Sequence, residues 1–163
     1  MREIPAGFPN PYPRYTRMDD RNERADIAFL YPELMPEWDD DRDPRMILPG
    51  SHKMIGWRCP RGHRYQAMPY SRVRGSGCPY CTNRKVLRGY NDLATTDPDA
   101  ADEWHPSLNG SLTVYDVTRG CTKRIWWRCR FGHEWRATVY SRTRARRAGC
   151  PYCTGRYKAK DQV

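Results

Sequence analysis

The sequence lacks any long apolar run, and this excludes two classes of protein. No stretch approaches the roughly 18 consecutive apolar residues of a membrane-spanning helix. The first residues contain no apolar segment of the kind that a secretory signal needs. The chain has 163 residues, of which 38% are hydrophobic, and a mean hydropathy of -0.97. We therefore expect a cytoplasmic protein with no membrane partner.

The number of cysteines is odd, which disfavours a complete disulfide framework. The chain has seven cysteines, and in a reducing cytosol clustered cysteines bind metals or catalyse more often than they form bridges. The apolar fraction is low for a large core, and units of about 70 residues usually need a metal or disulfides to fold. Six tryptophans and eleven tyrosines argue against disorder. Together these features favour a fold stabilised by metal.

An internal repeat organises the sequence. The segment WRCPRGH at 57–63 returns as WRCRFGH at 127–133, and GCPYCT at 77–82 returns at 149–154. Such self-similarity is typical of a duplicated unit. The repeat predicts a Pro/Arg-rich leader at 1–25, module one at 26–88, module two at 89–158 and a tail at 159–163.

Each module repeats two pairs of potential metal ligands. A Cys-x3-His pair precedes a CPYC pair, separated by 14 residues in module one and by 16 in module two. Two close pairs joined by a loop suit a tetrahedral site, and thiolates with imidazole favour zinc. Because protein side chains fill all four positions, the sites are expected to be structural. The sequence thus predicts two zinc ions, held by Cys59, His63, Cys78 and Cys81 and by Cys129, His133, Cys150 and Cys153.

The repeat also separates ligands from other residues of the same type. Cys121 corresponds to Ser51, His52 to Thr122 and His105 to Asp39, so none of the three recurs. We predict that they are packing or surface residues. CPYC is also a dithiol redox motif, but that chemistry needs a thioredoxin-like βαβ context, which the sequence does not indicate.

The same coarse plan is predicted for both modules. A short helix should run from Pro98 to near Trp104, and Pro36 should shorten or bend its counterpart. A first strand is expected at Ile55 to Cys59 and at Ile125 to Cys129. In the second strand of module two, a period of two places His133, Trp135, Ala137 and Val139 on one face. The recurring tryptophans, Trp38 with Trp104 and Trp57 with Trp127, more often mark core packing than a stacking platform. Trp126 corresponds to Gly56, so its side chain could be exposed in module two only.

Positive charge is concentrated in the zinc-binding half of each module. The net charge is +10, and residues 59–88 contain seven Lys/Arg and no Asp/Glu, while residues 129–163 contain nine against two. Arginine interleaved with aromatics suits phosphate contacts and base stacking. The candidate nucleic-acid-binding residues are Arg72, Arg74, Arg84, Lys85, Arg142, Arg144, Arg146, Arg147, Arg156, Tyr70 and Tyr140. A solvated basic face that aids solubility is the alternative interpretation.

The motifs resemble a family of tandem bacterial and phage zinc modules of the treble-clef or zinc-ribbon type. Module two carries its pattern in Asn91-Asp92-Leu93-Ala94-Thr95, Glu103-Trp104, Trp126-Trp127, Cys129, Gly132-His133, Trp135, Ala137, Val139 and Gly149-Cys150-Pro151-x-Cys153. Module one departs from it in four places: it lacks the Asn-Asp-Leu lead-in and has Gly56, Tyr65 and Pro69, so its second strand could be irregular. The resemblance implies an association with endonuclease-like domains and a role in DNA binding.

These observations predict a small zinc-stabilised α+β protein with two tandem treble-clef or zinc-ribbon-like modules, each a short helix plus a β-hairpin and two knuckles. The predicted function is nucleic-acid binding, to DNA rather than RNA, without catalytic activity. No carboxylate-plus-lysine cluster suggests a nuclease, and both repeated histidines are committed to zinc. A zinc-stabilised adaptor or regulatory subunit with a protein partner is the first alternative. An accessory part of a nuclease system is the second.

Overall fold

A computed structural model describes residues 25–144 and 149–157. The leader up to residue 24, the candidates Arg146 and Arg147, and the tail at 159–163 lie outside the described residues. The boundary predicted between residues 88 and 89 stays a prediction.

Both modules consist of short helices around one β-hairpin, as the α+β prediction requires. Module one contains helix α1 (Ile27–Leu30), two 3-10 helices (Pro32–Glu37 and Pro44–Met46), strands β1 (Ile55–Arg58) and β2 (Arg64–Ala67), and helix α2 (Pro69–Val73). Module two contains helices α3 (Leu93–Thr96) and α4 (Pro98–Ala101), strands β3 (Arg124–Arg128) and β4 (Glu134–Thr138), and helix α5 (Val139–Thr143). The fold class predicted from the sequence is thereby confirmed.

The first helix of each module begins at an aspartate cap. The carboxylate of Asp26 accepts a hydrogen bond from Phe29 N at 2.9 Å, and that of Asp92 accepts one from Thr95 N at 3.0 Å. The following residues, Ile27 and Leu93, are fully buried. Module one therefore keeps the aspartate of the lead-in and an apolar residue after it, Ile27 for Leu93, while Ala25 replaces the asparagine.

The first strands agree with the sequence prediction to within one residue, but the second strand of module two is shorter than predicted. β4 ends at Thr138, and Val139 is the first residue of α5. The Thr138 side chain accepts a hydrogen bond from Ser141 N and caps this helix. Pro69 occupies the first helical position of α2, where its missing N–H costs nothing and its fixed φ is favourable. Pro69 is thus a regular helix start, and no irregular strand results from it.

The helix predicted from Pro98 to near Trp104 is also shorter. α4 ends at Ala101, and Trp104 instead forms an isolated antiparallel β-bridge with Trp127 of β3. The counterpart in module one is the 3-10 helix that contains Pro36, after which Trp38 forms the equivalent bridge to Trp57.

Each module packs its core around one fully buried tryptophan. Trp57 and Trp127 are fully buried and lie opposite Tyr65 and Trp135 in their hairpins. The ring of Trp38 meets Trp57 edge-on at a centroid distance of 5.2 Å, and Trp104 meets Trp127 in the same way at 5.7 Å. The prediction that these tryptophans mark core packing is confirmed, with Trp38 and Trp104 partly buried against the other two.

One polar side-chain pair is reversed between the modules. In module one Asp39 contacts Arg64 of β2 at 3.0 Å. At the corresponding positions of module two, His105 Nε2 lies 2.8 Å from the carboxylate of Glu134 in β4. Nδ1 of His105 accepts hydrogen bonds from the backbone N–H groups of Ser107 and Leu108, so Nε2 donates to Glu134. His105 is therefore a packing residue, as predicted.

Candidate metal centres and basic surfaces

The first ligand cluster lies at the end of the hairpin of module one. The His63 Nδ1 atom is 3.5 Å from Cys59 Sγ, 3.3 Å from Cys81 Sγ and 3.8 Å from Cys78 Sγ. Cys59 Sγ and Cys81 Sγ are 3.8 Å apart. The four predicted ligands thus converge on one point.

The cluster of module two reproduces this geometry. The His133 Nδ1 atom is 3.5 Å from Cys129 Sγ, 3.7 Å from Cys150 Sγ and 3.3 Å from Cys153 Sγ. Cys129 Sγ lies 3.9 Å from Cys153 Sγ. In the described part of the chain, these are the two groups of Cys, His, Asp or Glu whose ligand atoms can surround a metal.

The distances fit a tetrahedral zinc ion at both positions. Zn–S bonds of about 2.3 Å and Zn–N bonds of about 2.05 Å give ligand separations of about 3.8 Å for S···S and about 3.6 Å for S···N. The observed separations of 3.3 to 3.9 Å bracket those values. Each donor set is Cys3His with Nδ1 as the imidazole ligand, so the two zinc ions predicted from the sequence fit the residues present.

The local backbone explains how the Cys-x3-His pairs are formed. In module one Cys59 N donates to His63 O at 3.1 Å, and Gly62 N donates to Cys59 O at 2.8 Å. Gly62 has a φ of 84° and Gly132 one of 82°, a conformation that favours glycine. This turn places the Cys and His side chains on the same side of the hairpin end.

Backbone amides lower the pKa of the thiols that begin these turns. Burial acts to raise the pKa of Cys59, but N–H groups of His63 and Arg61 stabilise its thiolate and hold the pKa below the ordinary value. Burial and the neighbouring thiols instead raise the pKa of Cys153 to about 11. Several thiolates in one cluster therefore need a cation to offset their mutual repulsion, which a divalent metal supplies.

Module two contributes a residue to the cover of the first metal site. The ring of Tyr90 lies edge-on to His63 at a centroid distance of 4.1 Å, and its hydroxyl lies 3.8 Å from Cys81 Sγ. Arg61 donates to the same hydroxyl at 2.6 Å. In module two the ring beside the ligand is Tyr152, at 5.2 Å from His133. Sequence reasoning missed the role of Tyr90, because the residue lies outside the repeated motifs.

Two candidate phosphate-binding arginines are buried, which corrects the sequence interpretation. Arg72 and Arg142 are only 6% and 5% exposed. Arg72 pairs with Glu37 at 2.8 Å, its guanidinium 4.9 Å from the Trp57 ring. Arg142 likewise pairs with Glu103 and lies over the core tryptophan Trp127.

The two arginines occupy equivalent positions in α2 and α5, where each links the helix to an upstream carboxylate across the core. The sequence separates the partners by more than thirty residues, so no local pattern indicated the pairing.

The remaining described candidates lie at or near the surface. Arg74, Arg84, Lys85, Arg144 and Arg156 are exposed, and Tyr140 is 53% exposed. Tyr70 is half-buried, stacked on His52 at 4.9 Å with the Arg74 guanidinium 5.1 Å from its ring. Arg84 donates to Gly77 O at 2.8 Å and so also stabilises the CPYC turn of module one. These residues belong to both modules.

A further basic surface was missed, on the outer face of the hairpin in module two. Arg124, Arg128 and Arg136 project from β3 and β4 on the face opposite the core, and all three are exposed. The alternation of Trp and Arg in the segment RIWWR signals this arrangement, since alternate strand residues share a face.

A comparison with known families finds a match in each module. A family described as "Probable Treble clef zinc finger domain" matches residues 34–84 and 100–156. The matched ranges contain all eight predicted ligands, four in each range. Comparison with curated proteins gives no match. Among the described residues, no helix has the length and apolar character to cross a membrane.

Proposed function

We propose that this chain, which belongs to the family of probable treble clef zinc finger domains, binds nucleic acid, with DNA as the ligand, and has no catalytic activity of its own. In this proposal the bound zinc ions stabilise the fold, and the protein side chains contact the nucleic acid.

The observation that carries the proposal is the exposed positive charge beside each metal centre. In module one Lys85 follows the CPYC turn, and in module two Arg156 follows the equivalent turn. Both are exposed, and neither forms a salt bridge to any described residue. Unpaired surface cations of this kind attract phosphate and displace its counterions.

The zinc centres support such contacts by fixing the turns. Cys78 and Cys81 hold one end of the turn that presents Lys85, and Arg84 N donates to Pro79 O at 2.8 Å within it. In module two Arg156 N donates to Pro151 O at 2.8 Å. A turn with this backbone order presents its cation with little loss of conformational entropy on binding.

The absence of catalysis follows from the ligand sets in the same proposal. Protein side chains occupy all four positions around each metal, so no position is left open for water or substrate. The recurring histidines are metal ligands and are not available as general bases.

The test is a binding panel with labelled duplex DNA, single-stranded DNA and RNA at two salt concentrations. The variant Lys85→Gln/Arg156→Gln should bind DNA more weakly and reduce the salt slope by about 1.8, since each duplex phosphate contact contributes about 0.9. The matched control is Arg45→Gln/Lys53→Gln, which removes two exposed charges outside the zinc-binding halves and should leave binding unchanged. Zinc content should remain two in both variants.

Failure of the zinc-loaded wild-type protein to bind any of the three nucleic acids would contradict the proposal. In that case the adaptor interpretation gains support if a stoichiometric protein partner is retained after nuclease treatment.

A further inference from the structure

The outer faces of the two hairpins differ, although the hairpins have the same register. In module one this face carries Gly56 on β1, opposite Gln66. In module two it carries Trp126 on β3, opposite Arg136. The largest change in side-chain size within the hairpins therefore lies on a surface that the core does not use.

The face of module one is covered and neutralised by the chain that precedes β1. The Asp39 carboxylate pairs with Arg58 at 2.9 Å and with Arg64 at 3.0 Å. Asp40 accepts from Gly56 N at 2.7 Å. A Cβ atom at Gly56 would lie 2.3 Å from Asp39 O, so no side chain fits there.

In module two the preceding chain keeps its backbone contact with β3, where His105 N donates to Trp126 O at 3.1 Å, but it lacks the two carboxylates. His105 and Pro106 stand where module one has Asp39 and Asp40, and His105 is directed to Glu134. The backbone N–H of Trp126 is satisfied by Asn109 Oδ1 at 2.9 Å instead. The Trp126 side chain on this face is half-buried.

Three exposed arginines lie on the same face as that ring, together with the Glu134 carboxylate, which the register places opposite Arg128. The Arg136 guanidinium lies 5.7 Å from the centroid of the Trp126 ring. Arg124 lies two residues before Trp126 on β3 and Arg128 two residues after it, and both are exposed. At the rise per residue of a β-strand, the two arginines are roughly 13 Å apart. None of the three forms a salt bridge within residues 25–144 and 149–157. Cations on both sides of an accessible indole suit a chain that alternates phosphates with flat bases.

We infer that the outer face of β3 and β4 is a binding site for single-stranded nucleic acid. Trp126 stacks on one base, Arg124 and Arg128 bind the flanking phosphates, and Arg136 supports the stacked pair. A duplex is disfavoured at this face, because its bases are already paired and stacked and present no free ring surface. The inference rests on the proposed function and assigns the site to module two alone.

The test measures binding of a fluorescein-labelled oligothymidine, an oligouridine of the same length and a hairpin duplex. Trp126→Leu keeps an apolar side chain but removes the stacking partner. Its affinity for the single strands should fall about 5- to 150-fold, since a base stacked on an aromatic side chain contributes about 1–3 kcal/mol. Duplex affinity should change less than about twofold, on the same grounds.

A second variant, Arg124→Gln/Arg128→Gln, tests the phosphate contacts and leaves the core side of the hairpin intact. It should lower the salt slope for single strands by about 1.4, because each contact contributes about 0.7. Arg58→Gln/Arg64→Gln is the matched control on module one and should leave that slope unchanged. Zinc content of two and an unchanged circular dichroism spectrum verify folding of each variant.

The outcomes separate this inference from the broader proposal. Duplex binding without single-strand binding, or single-strand binding that neither variant weakens, overturns the inference and leaves nucleic-acid binding standing. Binding to none of the probes overturns both. If Trp126→Leu does not fold, the double-arginine variant alone decides. The two single-strand probes show whether the ligand is DNA or RNA.

Discussion

The side-chain amide of Asn91 donates a hydrogen bond to the backbone oxygen of Tyr80 at 2.9 Å, and so joins the start of module two to the CPYC turn of module one. The same nitrogen donates to Asn83 Oδ1 at 3.1 Å and to Lys85 O at 2.9 Å. Its Oδ1 accepts from Leu87 N at 2.7 Å. With Tyr90 beside His63, these contacts tie the two modules together at the first metal centre.

Asn91→Ala should therefore reduce stability beyond the effect expected at a surface site. Asn91 is only 4% exposed, and its loss removes the acceptor of Leu87 N and a donor to Lys85 O, at a cost of about 1–3 kcal/mol. Urea unfolding of the zinc-loaded protein measures the change. Asn91→Asp keeps the shape but replaces the donor with an acceptor, and it should cost at least as much. A change below about 0.5 kcal/mol in both variants, the range of ordinary surface substitutions, would contradict this role.

Arg142→Gln should destabilise module two, and it should do so in the absence of nucleic acid. The substitution leaves the Glu103 carboxylate beside the core without its partner, which typically costs about 3–5 kcal/mol for a buried pair. Glu103 retains partial contact with solvent, with 31% of its side chain exposed, so the lower end of that range is expected.

Thermal unfolding of zinc-loaded samples provides the comparison for Arg142. Arg130→Gln, an exposed arginine in the same half of the module, serves as the control and should have a near-native midpoint. Glu103→Gln/Arg142→Gln should recover part of the loss, because it removes both charges together. Equal midpoints for the two single variants would show that Arg142 is not a structural residue.

Cys150→Ser should bind one zinc ion instead of two. Removing one thiolate leaves a three-ligand site, and folding of module two depends on the complete set. Metal analysis after dialysis gives the stoichiometry, and amide exchange locates the unfolded module. Cys121→Ser is the matched control and should retain two zinc ions, since Cys121 lies outside both clusters. Two zinc ions in Cys150→Ser would overturn the ligand assignment.

Gly56→Ala should destabilise module one, because the added Cβ meets backbone and not a movable side chain. Its distance of 2.3 Å from Asp39 O requires a backbone shift, for which overpacking costs of about 1–3 kcal/mol are typical. Gly120→Ala should be close to neutral, since no atom lies within 4 Å of its Cβ position. Urea midpoints of the two variants test the difference, and a neutral Gly56→Ala would show that the segment before β1 moves freely.

The sequence was sufficient for the metal ligands because all the information about them is local and repeated. Spacing within Cys-x3-His and CPYC determines which side chains meet, and duplication distinguishes Cys150 from Cys121. The strands were predictable for the same reason, since alternation around Trp127 is a property of neighbouring residues.

The features that could not be predicted depend on pairs of residues that are distant in the sequence. An arginine in a basic segment resembles a surface residue until its carboxylate is located, and Glu103 precedes Arg142 by a long interval. The end of β4 was misplaced because Val139 suits a strand by propensity, whereas the Thr138 cap starts a helix. Pro69 at the same position of module one was the available signal, since proline favours the first turn of a helix.

The reversed pairs described above, Asp39 with Arg64 and His105 with Glu134, limit how these modules can be recombined. Joining the first half of module one to the hairpin of module two would bring two carboxylates together, Asp39 and Glu134. The reciprocal exchange would place an arginine beside a buried imidazole. Exchange of a whole module would keep this internal pairing intact, whereas half-module chimeras require compensating substitutions at both positions.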